Sequence, residues 1–156
     1  MSSHQVLKRC SVFSALTSGE IDKIAELASE REYEAGAILF HVKDKAEELF
    51  ILEEGKIALQ MIAPIPPGRM VTVDVACSGD IVGWSSLLEP HLHDLTATCL
   101  QRCRVLVLDA SRLRLILRDD NTASKIMKGV VLCVMSRLSD TRQLLVAERN
   151  WPPKLE

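Results

Sequence analysis

Hydrophobic residues keep a helical period at both ends of this chain and a strand period between them, and that double change divides it. Near the start, Thr17 and Glu20 form a capping box ahead of "IDKIAELASE", in which Ile21, Ile24, Ala25 and Ala28 share one helical face. From Gly36 the period shortens. "GAILFHV", "EELFILEEGKIALQMI", "RMVTVDVAC" and "RCRVLVLD" are short β-rich runs, separated by Gly36, Gly55, the Pro-rich "APIPPGR" and Gly79. Short strands with such turns imply an antiparallel β-sandwich or barrel. "EEGK", between two apolar runs, reads as a hairpin turn in which Gly55 supplies the permissive backbone.

After Asp109 the helical period returns, with "SRLRLILRD" as a short amphipathic helix and a long helix from near Asn121. In the long helix Met127, Val131, Val134, Leu138, Thr141 and Leu145 follow in alternating steps of four and three. That is a heptad seam, and Ile126, Val130 and Cys133 lie on a neighbouring face. One face can cover the barrel while the other meets a second copy, so a homodimer through this helix is expected. A helix packed only on its own barrel is the competing reading. In "NWPPKLE" two prolines stop the helix. The expected divisions are residues 1–120 for helices plus β-roll, 121–149 for the dimerisation helix and 150–156 for a short tail.

A chain of 156 residues is one domain by length, and its formal net charge of -2 suggests no broad basic surface for DNA or an anionic membrane. The start, "MSSHQVLKRCSVFSAL", has no apolar run of signal-peptide type, and no segment reaches membrane-spanning length. A cytoplasmic location is therefore expected, with the five cysteines reduced. Cys99 and Cys103 are separated by three residues, yet no second pair or downstream histidine completes a zinc pattern. They read as structural thiols that need not face one another, and the isolated Cys10 speaks against an iron–sulfur cluster.

The order of entry helix, β-roll and long terminal helix resembles the cyclic nucleotide-binding domain, and more narrowly the effector half of the CRP/FNR family of bacterial regulators. The stretch from "FSALTSGEIDKIAELASE" to "LFILEEGKIAL" carries much of it, through Gly36, Leu39, Phe40, Asp44, Ala46, Phe50, Ile51 and Gly55. "SGDIVGWSSLL" resembles the strand and short cassette helix, and "CRVLVLDASRLRLIL" the closing strand and the helix after it. The resemblance implies a mainly β fold with flanking helices: an antiparallel β-roll of jelly-roll type followed by a long C-terminal dimerisation helix. Lys43 departs from it, standing where the family usually has glycine before Asp44.

The resemblance also implies a ligand site, and there the chain departs further. Family members that bind cyclic nucleotides hold the ribose with a cassette Glu and pair an Arg with the cyclic phosphate. Here Gly83 is kept, Trp84 replaces the Glu, Ser85 and Ser86 follow as small residues, and His93 replaces the Arg. A loop one residue longer would put Asp94 at the Arg position, while Thr96 matches a small polar residue on the closing strand. Hydrogen bonds to charged groups contribute roughly 1.5–3 kcal/mol each. Losing both partners therefore costs on the order of a thousandfold in affinity. Backbone N–H groups of Gly83 to Ser86, at the start of a short helix, could still cradle an anion.

Each candidate has a plainer reading. Trp84 can plug the vacated pocket as core, His93 can be a rim histidine, and Ser85 and Ser86 can cap the short helix. "HLH" also invites comparison with metal-holding cupins, but no histidine follows His93 and the positions four and five further on are Ala97 and Thr98. No metal and no enzyme activity is expected. Family regulators often read DNA through a winged helix after the long helix, and the chain ends where that would begin, so direct DNA binding is not expected. The expected function is a stand-alone, homodimeric sensor or regulatory domain without a resident cofactor, in which ordinary cAMP binds weakly or not at all. A small anionic ligand, a working cyclic nucleotide site, and a ligand-free adaptor for an unidentified protein partner stay open as alternatives.

Overall fold

The computed structural model describes residues 2–148. Two short helices, α1 (Ser3–Arg9) and α2 (Ser18–Ala25), precede the strands. Thr17 and Glu20 close the capping box on α2, and Ile21 and Ile24 are its buried residues. The helix stops three residues short of the expected apolar face: Ala28 opens a strand, β1 (Ala28–Tyr33). "ASEREY" has no alternating apolar pattern because β1 is an edge strand, and it meets solvent through ion pairs such as Arg31 to Glu48 and Arg104 to Glu30.

Seven further strands follow: β2 (Ile38–Phe40), β3 (Glu48–Glu54), β4 (Ile57–Ile62), β5 (Met70–Ala76), β6 (Ile81–Val82), β7 (Thr96–Cys99) and β8 (Cys103–Asp109). They form two four-stranded antiparallel sheets, ordered β1-β8-β3-β6 and β2-β7-β4-β5. β3 and β4 belong to different sheets, so "EEGK" is not a hairpin. Gly55 turns the chain through a corner from one sheet to the other. Its φ is +107°, and a Cβ there would lie 2.6 Å from the Cys103 Sγ and 2.7 Å from the Arg102 carbonyl oxygen.

β3 and β8 are apolar on both faces because each separates two cores. Leu49 and Ile51 of β3, with Leu106 and Leu108 of β8, pack beneath the helices with Leu7, Phe13, Ile21 and Ile24. The alternate residues, Phe50, Leu52, Val105 and Val107, point into the roll toward Phe40, Ile57, Leu59 and Ala97. Cys99 and Cys103 share this inner core, and all five cysteines are free. Burial, with the Cys103 thiol beside it, pushes the Cys99 thiol up to about 12.

α3 (Ala110–Ile116) follows β8, with Asp109 accepting from the Arg112 N–H as its cap, and α4 (Asp120–Glu148) closes the described chain. The start of α4 is docked. Glu20 accepts from Thr122 Oγ1 at 2.5 Å and from Lys125 Nζ at 2.7 Å, and Ile126 and Val130 are buried in the helical core. Gly129 sits so close to the chain after α1 that a Cβ would lie 2.6 Å from the Val12 Cα. No helix among the described residues is long and apolar enough to cross a membrane.

Candidate functional site

β6 is followed by Gly83, whose φ of +89° turns the chain into one 3-10 turn, Trp84–Leu87. A Cβ at Gly83 would stand 3.2 Å from both the Glu48 carbonyl oxygen and His93 Cε1, so only glycine lets this turn lie against the loop opposite. The turn is braced from α3. Arg114 donates through Nε to the Ser86 carbonyl at 2.8 Å and through Nη2 to the Ala46 carbonyl at 3.0 Å.

The second half of the site is the loop leading to β7. Lys43 N–H donates to the His93 carbonyl at 2.7 Å, His93 N–H to the Asp44 carbonyl at 2.9 Å, and Ala46 N–H to the His91 carbonyl at 2.7 Å. Lys43 adopts φ +73°, the left-handed conformation natural to the family glycine it replaces, so the turn survives the substitution. This pairing fixes the direction of His93. Its ring stacks on Phe40 with centroids 3.5 Å apart and planes within 6°. His93 is only 5% exposed, a correction to its reading as a rim residue. Burial pushes its imidazole below the ordinary histidine value, against the opposing pull of Asp44 and Asp94.

What remains between the two halves is small. Phe40, Leu59, Gly83, Trp84, His93 and Leu95 are among the residues enclosing a cavity of about 20 Å³, with Asp94 at its edge. Such a space admits one water. Ligand pockets for drug-sized molecules run to roughly 300–1,000 Å³. The three successive loop residues that reach it are a neutral-leaning imidazole, a carboxylate and a leucine, with no guanidinium among them.

The expected site residues are thus only partly assembled. Gly83, Trp84, His93 and Asp94 come together around the cavity. Thr96 is 3% exposed and its Oγ1 accepts from the Val42 N–H at 3.0 Å, so it holds backbone. Neither serine caps the turn: Gly83 is its N-cap and no side chain bonds there. The Ser86 N–H is taken by the Gly83 carbonyl at 3.0 Å, which leaves fewer donors for an anion than the sequence suggests. Ser86 Oγ is buried without a partner.

Trp84 is half-buried: it packs against the helical core and also lines the small cavity in which His93 stacks on Phe40. The residue that sequence reasoning missed is Arg137. Its guanidinium lies 5.2 Å from the Trp84 ring centroid, 2.8 Å from Asp74 Oδ2 and 3.6 Å from Asp80 Oδ2. The available signal was an arginine in a mostly apolar run, "VVLCVMSRL". Of the seam residues, Met127 packs against the helical core, while Val131, Val134, Leu138 and Leu145 are exposed and Thr141 Oγ1 donates to the Arg137 carbonyl. Among the described residues no group of three His, Cys, Asp or Glu side chains is placed to hold a metal ion.

Comparison with known proteins places this geometry. A family model for the cyclic nucleotide-binding domain matches residues 30–120. A Geobacter metallireducens protein described as a "Putative Cyclic nucleotide-binding protein" superposes with a TM-score of 0.78 at 27% identity, over 88% of this chain and 99% of that one. The N-terminal domain of a Streptomyces coelicolor transcriptional regulator superposes with a TM-score of 0.68, also at 27% identity, over 90% of this chain and 94% of the other. A Rhodopseudomonas palustris protein named "Putative potassium channel protein" is 30% identical over 122 residues, and this chain spans 29% of its length. With the two-sheet roll, the glycine-led cassette turn and the terminal helix all in place, the chain belongs to the cyclic nucleotide-binding domain family.

Proposed function

We propose that this chain is a regulatory module that has kept the cyclic nucleotide-binding scaffold and lost ordinary cAMP recognition, and that it works as a non-enzymatic cytoplasmic homodimer. The observation that carries the reading is that only about 20 Å³ is left at the cassette, where His93 stacks on Phe40. No carboxylate stands at Trp84 for a ribose, and the charged residue at the cavity edge, Asp94, repels a phosphate. A neutral imidazole offers one weak hydrogen bond where a guanidinium fork offers two charge-assisted ones. The dimer is supported by α4, which exposes eight large apolar side chains from Val131 onward: Val131, Leu132, Val134, Met135, Leu138, Leu144, Leu145 and Val146.

Titration calorimetry with cAMP on the wild type, Trp84→Glu, His93→Arg and the double variant tests the pocket. The wild type is expected to bind on the order of a thousandfold more weakly than a complete site would. The double variant is expected to gain more than either single change, since the two groups address different parts of one ligand. Tight cAMP binding by the wild type overturns the proposal. A double variant with no gain places the fault in the loop of residues 89–95, whose Leu95 also lines the cavity.

A further inference from the structure

Trp84 occupies the cassette position from which a family carboxylate would face a sugar, and besides lining the small cavity it makes contacts on its other side. It packs with the helical core, and the Arg137 guanidinium of α4 lies over its ring at 5.2 Å. Arg137 is itself held on three more sides. It reaches Asp74 of β5 at 2.8 Å, Asp80 before β6 at 3.6 Å, and the Ile81 carbonyl at 3.3 Å. Its side chain is 12% exposed, although the residues around it on α4, Met135, Ser136, Leu138 and Ser139, are all exposed. A guanidinium buried on a helix that otherwise stands in solvent is a point of attachment, since removing it from water is offset only by those carboxylates and the ring. Past Val130, among the described residues, no other α4 side chain makes an ion pair or hydrogen bond to the β-roll.

We infer that Trp84 and Arg137 form a latch that holds the second half of α4 against the β-roll without any ligand. The cassette in this chain positions a helix instead of a nucleotide, and Trp84 and Arg137 are positioning residues. Displacing Trp84 outward or inward removes one wall of the Arg137 site, so cassette and helix share one equilibrium. This goes beyond the loss of cAMP recognition, because it assigns the substituted residue a task within the chain.

Amide hydrogen exchange on the full chain, with no nucleotide added, tests it. Arg137→Gln is expected to speed exchange of the α4 amides from Cys133 to Thr141 by about tenfold, the effect of one lost charge-assisted contact, while β3 and β8 amides stay unchanged. Trp84→Leu is expected to speed the same amides by a smaller factor. The double variant is expected to match Arg137→Gln alone, because the two side chains act through one contact. Arg137→Lys keeps the charge without the flat fork and should give an intermediate rate. Should Arg137→Gln fold poorly, Asp74→Asn removes an ion-pair partner and is expected to release the same segment. The latch is overturned if Trp84→Leu leaves α4 exchange unaltered, if the two effects simply multiply, or if exchange rises equally throughout the roll.

Discussion

His93 shows how much one residue's meaning depends on its neighbour. From the sequence it is a histidine in a polar loop; in the fold it is a buried plate on Phe40, 53 positions earlier. Burial lowers its pKa below the ordinary value of 6.5, with Asp44 and Asp94 pulling the other way. The folded chain therefore keeps His93 neutral where the unfolded chain has begun to take up a proton. Below that ordinary value the unfolded state binds more protons, so stability falls as the pH drops through it toward the folded pKa and is level above it. Urea denaturation of the wild type and His93→Phe at about pH 7.5 and about pH 5.5 checks this, since phenylalanine keeps the stack without titrating. The wild type should lose more stability than the variant on acidification. Equal losses would show that the imidazole takes up a proton as readily in the fold as in the unfolded chain.

At the scale of elements, legibility followed locality. The α2 cap was legible because Thr17 and Glu20 are three residues apart, and the long helix because its apolar period persists. β1 was not legible, since an edge strand of ion pairs carries no apolar alternation. The corner at Gly55 looks like a hairpin in the sequence because both turns need the same left-handed glycine; only the partner strands distinguish them. In the site, Gly83 and the cassette turn were legible, whereas the Arg137 contacts to Asp74 and Trp84 join residues far apart in the chain. The docking of α4 makes its own prediction. Gly129→Ala would gain about 1 kcal/mol of helix propensity over glycine. But its Cβ would fall 2.6 Å from the Val12 Cα and carbonyl oxygen, which are backbone and cannot swing aside. Overpacking of that kind typically costs about 1–3 kcal/mol, so a net lower Tm is expected by calorimetry. A raised Tm would show that α4 is not seated on this segment.

For the whole molecule, the two faces of α4 divide the work: Ile126 and Val130 are buried in the chain's own core, and the apolar side chains from Val131 onward are left uncovered. Val134 and Leu138 are 40% and 46% exposed in the single chain, so charges there leave the fold undisturbed. Val134→Glu with Leu138→Glu should convert a sedimenting dimer to a monomer with unchanged circular dichroism. A wild type that sediments as a monomer, or a variant that remains dimeric, would refute the second copy as the occupant of that face. The crossing at Gly55 bears on assembly in time as well as in space. Because consecutive strands β3 and β4 part company there, β4–β5 is the one pairing between neighbours in the chain; β1 waits for β8, and β2 for β7. β8 comes after the other seven strands among the described residues and sits between β1 and β3. Until Asp109 has been made, the apolar run Leu49–Leu52 has no β8 to lie beside, and only the two residues of β6, Ile81 and Val82, are there to pair with it.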